Sequence, residues 1–150
     1  MRKRLLVSAA LAASAVALPS AAQPAAAATP SIQIIKIYYD SPGSDRGGNT
    51  SINGEYVVIK NTTRRTIDLA DWTLRDPNFR YTFGDVTLRA GKTLTIRSGQ
   101  GSDGASTVYW QRRWYVWNND RDTAHVRNAS GRLIDSCSYN STRYDYKNCQ

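Results

Sequence analysis

The chain has 150 residues, with 20 Lys and Arg against 12 Asp and Glu, one His and two Cys. This is room for one domain with a modest core, and once the two cysteines pair, the one histidine leaves too few ligands for a zinc site. A formal charge of +8 supports binding to anionic polymers only where the charge is clustered.

Met1-Arg2-Lys3-Arg4 is a positive n-region, Leu5 to Leu18 a short apolar stretch, and Pro19 to Ala28 an Ala-rich segment with small-x-small cleavage sites after Ala22 or Ala28. This is the pattern of a Sec-type secretory signal peptide over residues 1–28, too short and wrongly flanked for a membrane span. Its Ala-rich character points to a bacterial, secreted protein. Without the signal, seventeen basic residues face twelve acidic ones, a net +5, which is ordinary for an exported chain. In that compartment Cys137 and Cys149 are expected as a disulfide, the alternatives being two free thiols or an intermolecular bridge. Closing that loop contributes about 3 kcal/mol in the chain-entropy model.

The first expected strand, Ile32 to Tyr39, is apolar on both faces at its centre, which predicts cover on both sides. Asp40 to Asn53 is a long Gly, Ser, Asp and Asn-rich loop. Asp40 and Asp45 within it lack the regular oxygen-ligand spacing of a calcium loop, so a solvated loop is the better reading. Tyr56, Val57, Val58 and Ile59 are β-branched and aromatic, fitting a strand, and Asn61 to Arg65 a polar, basic turn. Ile67 and Leu69, then Trp72 and Leu74, form two period-2 pairs whose phase shifts at Ala70-Asp71, as where a strand kinks or bulges at a sandwich edge.

Phe79, Tyr81 and Phe83 alternate with Arg80 and Thr82, one aromatic face pointing inward. Val86 and Leu88 make a short strand, and Leu94 and Ile96 a strand with one wet face. Gly99-Gln100-Gly101 lacks the following lysine and helix of a phosphate loop. Val108 to Trp117 gathers Tyr109, Trp110, Trp114, Tyr115 and Trp117 around Arg112-Arg113. Thr123 to Arg127 and Leu133 to Tyr139 close the series around an Ala129-Ser130-Gly131 turn, and a Tyr-rich tail is tied back by Cys149. About eight short strands at this spacing, with almost no helical period, argue for an all-β sandwich over residues 29–150.

Glu55 to Asn61, with Ile67-Asp68-Leu69-Ala70-Asp71-Trp72-Thr73-Leu74-Arg75-Asp76, resembles the lamin-tail domain. The resemblance continues through Tyr81-Thr82-Phe83, Leu88 with Gly91, Gly99-Gln100-Gly101, Trp117-Asn118-Asn119 and Asp122-Thr123-Ala124, and so covers about Ile32 to Tyr139. Two turns depart from the pattern: Asp120-Arg121 stands where the family usually carries a glycine before the aspartate, and Ala90 precedes Gly91 where proline is common. The resemblance implies an immunoglobulin-like β-sandwich with Trp72 and Trp117 in its core. It implies no shared catalytic residues and binding roles that vary between members.

Catalytic chemistry is thinly represented. His125 could act as a general base with Asp122 or Asp135 orienting it, but an ordinary strand histidine is the better reading. Asp120 and Asp122 sit in a turn, where Asp122 is expected to bond nearby backbone amides. The expected function is therefore non-catalytic: a binding or structural module with a protein or cell-surface partner and no cofactor, metal or membrane span. The alternative is an anionic polymer, extracellular nucleic acid or wall polymer, held by arginine forks and aromatic stacking. Candidate binding residues are Arg64, Arg65, Tyr109, Trp110, Arg112, Arg113, Trp114 and Tyr115, with burial and exposure both open for Trp110, Trp114 and Tyr115. Asn49, Asn61, Asn128 and Asn140 fit the N-x-Ser/Thr pattern, which a bacterial host leaves unmodified.

Overall fold

The computed structural model describes residues 28–150, so the expected signal segment, apart from Ala28, lies outside the described residues. Among them are eleven strands, more than the eight expected because several are only two or three residues long: β1 Ile32–Tyr38, β2 Tyr56–Asn61, β3 Ile67–Asp68, β4 Thr73–Arg75, β5 Arg80–Thr82, β6 Thr87–Leu88, β7 Thr93–Arg97, β8 Thr107–Tyr109, β9 Arg121–Arg127, β10 Leu133–Asn140 and β11 Tyr146–Asn148. They form one sheet in the order β11-β1-β2-β7-β8 and another in the order β10-β9-β4-β5, with the small ribbon β3-β6 beside them. Only β7 and β8 run parallel; every other pair is antiparallel. This is an all-β, immunoglobulin-like sandwich.

The core lies between the two large sheets. Val57 and Ile59 of β2, Leu94 and Ile96 of β7 and Val108 of β8 meet Leu74, Ala124 and Val126 of the facing sheet. Each comes from alternate positions of its strand, as a period of two requires. Phe83 is buried and Tyr81 half-buried, packed edge-on at 4.9 Å, while Arg80 and Thr82 are exposed, so the expected aromatic alternation holds.

Strand β1 departs from expectation. Its two faces are not both covered; instead a bulge between Ile34 and Lys36 shifts the register on β2. The extra residue turns Ile32, Ile34 and Ile37 all inward, with Tyr39 beyond them. The Asp135 carboxylate of the opposite sheet accepts the Ile34 amide at 2.8 Å, and the Cys149 amide donates to the Ile35 carbonyl at 3.1 Å. Thus the bulge is stabilised from both sheets.

The phase shift at Ala70-Asp71 is sharper than a kinked strand. Asp71 has φ of 62°, and the chain leaves β3 in the ribbon to enter β4 in the four-stranded sheet. Trp72, expected in the core, is half-buried and packs against the edge of it, because the turn ends before β4 begins. The loop Asp40 to Asn53 also differs: it contains a single helical turn, α1, Asn49–Ile52, whose Ile52 is buried.

Asn61 ends β2 and organises one end of the sandwich. Fully buried, it donates from Nδ2 to the carbonyls of Arg65 and Leu88, both at 2.7 Å, and accepts at Oδ1 from the Thr63 amide and hydroxyl. A buried amide with its donors and acceptor all engaged holds the basic turn in one shape.

The tail is a structural element rather than an appendage. Cys137 and Cys149 form the expected disulfide, Cα to Cα 5.9 Å, and β11 adds to the free edge of β1. The bond therefore joins β10 of one sheet to the edge of the other. Across the outer face Tyr38 stacks between Tyr146 and Tyr56 at centroid distances of 5.9 and 5.2 Å, with Lys36 over Tyr146 and Arg97 over Tyr56. Cross-strand aromatic pairs of this kind stabilise a sheet.

Candidate functional site

Strand directions sort the loops into two ends. Ile32 pairs with Asn61 and Tyr38 with Tyr56, so Asn61 to Arg65 lie at one end and Glu55 with its preceding loop at the other. Arg64 and Arg65 are exposed at the first end; Arg112, Arg113, Trp114 and Tyr115 follow β8 at the second. The length of β2, about 20 Å at roughly 3.3 Å per residue, separates the two arginine pairs. They do not form one basic surface.

At the second end the segment 110–117 divides into inward and outward residues. Trp110, Val116 and Trp117 are buried, with Trp110 edge-on to Trp117 at 6.0 Å and near Tyr81 at 5.8 Å. Tyr109 is half-buried at the end of β8, its ring against Gly101, where a Cβ would come within 2.4 Å of it. Trp110 is thus withdrawn from the surface, and Gly101 covers part of the Tyr109 ring. Arg112 lays its guanidinium over the Phe79 ring at 4.1 Å, a cation-π contact that holds the loop against the β4–β5 hairpin. Arg113 and Trp114 point outward, Trp114 with 57% of its surface exposed.

Three anchors hold this loop. The amides of Trp110, Gln111 and Arg112 donate to the carbonyls of Arg97, Gly99 and Ser98. Tyr115 Oη lies 2.7 Å from the Ser51 hydroxyl of α1 and accepts the Gly47 amide at 3.4 Å. Fully buried Glu55 accepts the Val116 amide at 2.9 Å and the Trp117 amide at 3.4 Å through Oε2. Burial pushes the Glu55 carboxyl up to about 8, against the lowering effect of those amides. Ser98 also lowers it, yet neither the Ser98 hydroxyl nor Glu55 Oε1 closes a hydrogen bond of its own.

The glycine turn Gly99-Gln100-Gly101 is a docking element. The Asn49 and Asn53 side chains both donate to the Gln100 carbonyl, at 3.0 and 2.9 Å, and Asn49 Oδ1 accepts the Gln100 amide at 2.7 Å. A Cβ on Gly99 would lie 2.6 Å from Asn53 Oδ1, so α1 closes onto the turn only because glycine stands there.

Beside this loop lies a groove of about 510 Å³, lined by Trp114, Phe79, Asn78, Asn118 and Asn119 among others. Asn119 Nδ2 donates to both Asp40 and Asp45, at 3.1 and 2.9 Å, tying the long loop to the 118–120 turn. Asn118 Nδ2 donates to buried Asp122 at 2.9 Å. Asp122 also accepts the Thr123 amide at 2.8 Å and the Asn118 amide at 3.3 Å, as expected of a turn aspartate; burial raises its pKa against those bonds.

No catalytic arrangement forms around His125. Asp122 lies on the opposite, buried face of β9, and Asp135 is engaged by the Ile34 amide. Among the described residues no group of three or more His, Cys, Asp or Glu side chains could hold a metal ion, and no helix is long and apolar enough to cross a membrane.

Sequence reading did not find Phe79, Asn78, Asn118 and Asn119 as partners of Trp114. Asn78 and Phe79 come from the β4–β5 hairpin, more than thirty residues before Trp114, and Asn118 and Asn119 from the turn that leads into β9, so no local pattern links the two groups. The stacked tyrosines escaped it as well, since Tyr146 joins Tyr38 only through the register of a strand added by the tail.

A β-sandwich whose loops at one end carry aromatic and amide side chains is a scaffold of the immunoglobulin type. The family comparison is specific: the model for the Lamin Tail Domain matches residues 25–141. The chain belongs to the Lamin Tail Domain family. No curated protein matches the sequence closely enough to stand as a relative.

Proposed function

We propose that this chain is a secreted, non-catalytic module that binds a protein or cell-surface partner through the loop Arg112 to Tyr115. The observation that carries the reading is Trp114: a large aromatic ring 57% exposed on a loop held by Tyr115, Glu55 and the Gly99 turn. An exposed hydrophobic side chain on a mobile loop is unremarkable. One that is pre-positioned has the properties of an interface anchor, because its ordering entropy is already lost before binding.

An anionic polymer is the less well supported partner. Arg64 and Arg65 lie at the other end of the sandwich, and Arg112 is engaged on Phe79, which leaves Arg113 without a convergent arginine. Capture of the fluorescently labelled mature domain by cells of the secreting organism tests the reading. Trp114→Ala is expected to abolish capture with the melting temperature unchanged, while Arg64→Ala/Arg65→Ala is expected to bind as the parent does. Equal capture by Trp114→Ala refutes it. Capture that falls steeply with salt and is lost in Arg112→Ala/Arg113→Ala alone points instead to the anionic polymer.

A further inference from the structure

The groove beside Trp114 has a chemistry of its own, distinct from the arginines. Asp45 is the only charged residue lining it, and Asp45 Oδ2 already accepts from Asn119. The other polar residues lining it are Asn78, Asn118, Asn119 and Tyr115. Asn118 and Asn119 have their Nδ2 groups engaged on aspartates, which fixes both side chains and leaves each Oδ1 without a hydrogen bond inside the domain. The Asn78 side chain is exposed on the facing hairpin and makes no hydrogen bond within the domain.

The apolar lining is aromatic and rigid. Trp114 stands edge-on to Tyr115 at 5.5 Å and 77°, and the backbone of Gly47 packs on the six-membered part of its indole, where a Cβ would lie 2.4 Å from Cζ3. Gly47 has φ of 74°, a conformation that glycine adopts without strain. Gly47 thus abuts the Cζ3 edge of the indole, while 57% of the Trp114 surface stays exposed. Phe79 forms the far wall, backed by Arg112. The volume, about 510 Å³, lies in the range of small-molecule sites.

We propose that this groove is a carbohydrate subsite, taking one neutral pyranose unit of a surface glycan against the Trp114 ring. A pyranose has an apolar face of axial C–H groups that packs on an aromatic ring, and a rim of hydroxyls that donate to oriented amide oxygens such as those of Asn118 and Asn119. A nucleic acid or other polyanion would need cations in the groove, and it has none. A purely apolar peptide would leave the ring of amides unpaired, at a cost for each buried group.

The inference rests on the binding-module reading, since it names the ligand class of the same loop. Isothermal titration of the mature domain with cellopentaose, the N-acetylglucosamine pentamer and soluble mannan tests it directly. At least one is expected to bind at millimolar concentration or below. Trp114→Ala should then weaken binding by at least about tenfold, the scale of a lost aromatic stack, and Trp114→Phe should recover part of it. On cells, capture is expected to survive protease treatment and to be lost after periodate, which cleaves vicinal diols. No binding to any of the three glycans, with capture that survives periodate but not protease, overturns the carbohydrate inference while leaving a protein-binding module in place. Capture indifferent to Trp114→Ala overturns both.

Discussion

Glu55 makes the stability of this domain depend on pH in a direction opposite to that of a salt-bridged carboxylate. The side chain is fully buried, and desolvation lifts its pKa from 4.5 to about 8, with Asp45 adding to the rise and the Val116 and Trp117 amides opposing it. In the unfolded chain the group titrates near the lower value. Between the two the native state therefore holds a proton that the unfolded state has released, so stability falls as pH rises through that window. Below pH 4.5 both states are protonated and the penalty vanishes; above about 8 both are ionised and it is complete. The gap, at about 1.4 kcal/mol per pH unit, amounts to as much as about 5 kcal/mol, a large part of the 5–15 kcal/mol typical of a domain. Glu55→Gln provides the test, because its amide oxygen can accept the same two N–H groups and its NH2 can face the Ser98 hydroxyl. Urea denaturation followed by tryptophan fluorescence at pH 5, 7 and 9 should show parent and variant nearly equal at pH 5. The variant should be more stable by several kcal/mol at pH 9. Parallel pH dependence in the two proteins would refute the assignment of the buried proton to Glu55.

Other perturbations follow from the same contacts. Reduction of the disulfide, or Cys137→Ser/Cys149→Ser, should cost about 3 kcal/mol, lower the melting temperature by on the order of 10 °C and raise amide exchange in β11; an unchanged tail would show that β11 is held by the tyrosine stack alone. Asn61→Ala removes four hydrogen bonds, among them the buried one to the Leu88 carbonyl, so a loss of about 3 kcal/mol or more is expected in chemical denaturation. A loss below 1 kcal/mol would show that the turn re-forms without it. Gly47→Ala should displace the Trp114 indole and strain the backbone by about 1–2 kcal/mol. It is expected to shift the tryptophan emission and weaken cell capture together; emission and capture that match the parent would contradict the packing of Gly47 on the ring.

Most of the scaffold was legible in the chain because alternation of apolar and polar residues reflects strand geometry directly. Val57 and Ile59, Leu94 and Ile96, and Phe79 with Tyr81 and Phe83 all sit on the faces that their spacing implied. The disulfide followed from a lone pair of cysteines read together with an expected signal peptide. Where reading failed, a single residue out of phase was responsible. The bulge at Ile35 made one buried face look like two, and the positive φ of Asp71 broke what read as a kinked strand into two strands of different sheets.

The functional surface was legible only in part, and for a physical reason. Tyr109, Trp110, Arg112, Arg113, Trp114 and Tyr115 stood out by composition, but composition is blind to direction. Which ring is buried depends on Gln111, whose φ of 63° redirects the chain after Trp110, and on the Glu55 carboxyl just before β2. The sequence alone determined an all-β sandwich of the lamin-tail type with a disulfide-tied tail. Tertiary structure alone decided that the two arginine pairs lie at opposite ends, that the tail is an edge strand, and that Trp114 shares a groove with Phe79 and three asparagines. Those relations depend on register and loop closure between segments distant in the chain, and no local periodicity encodes them.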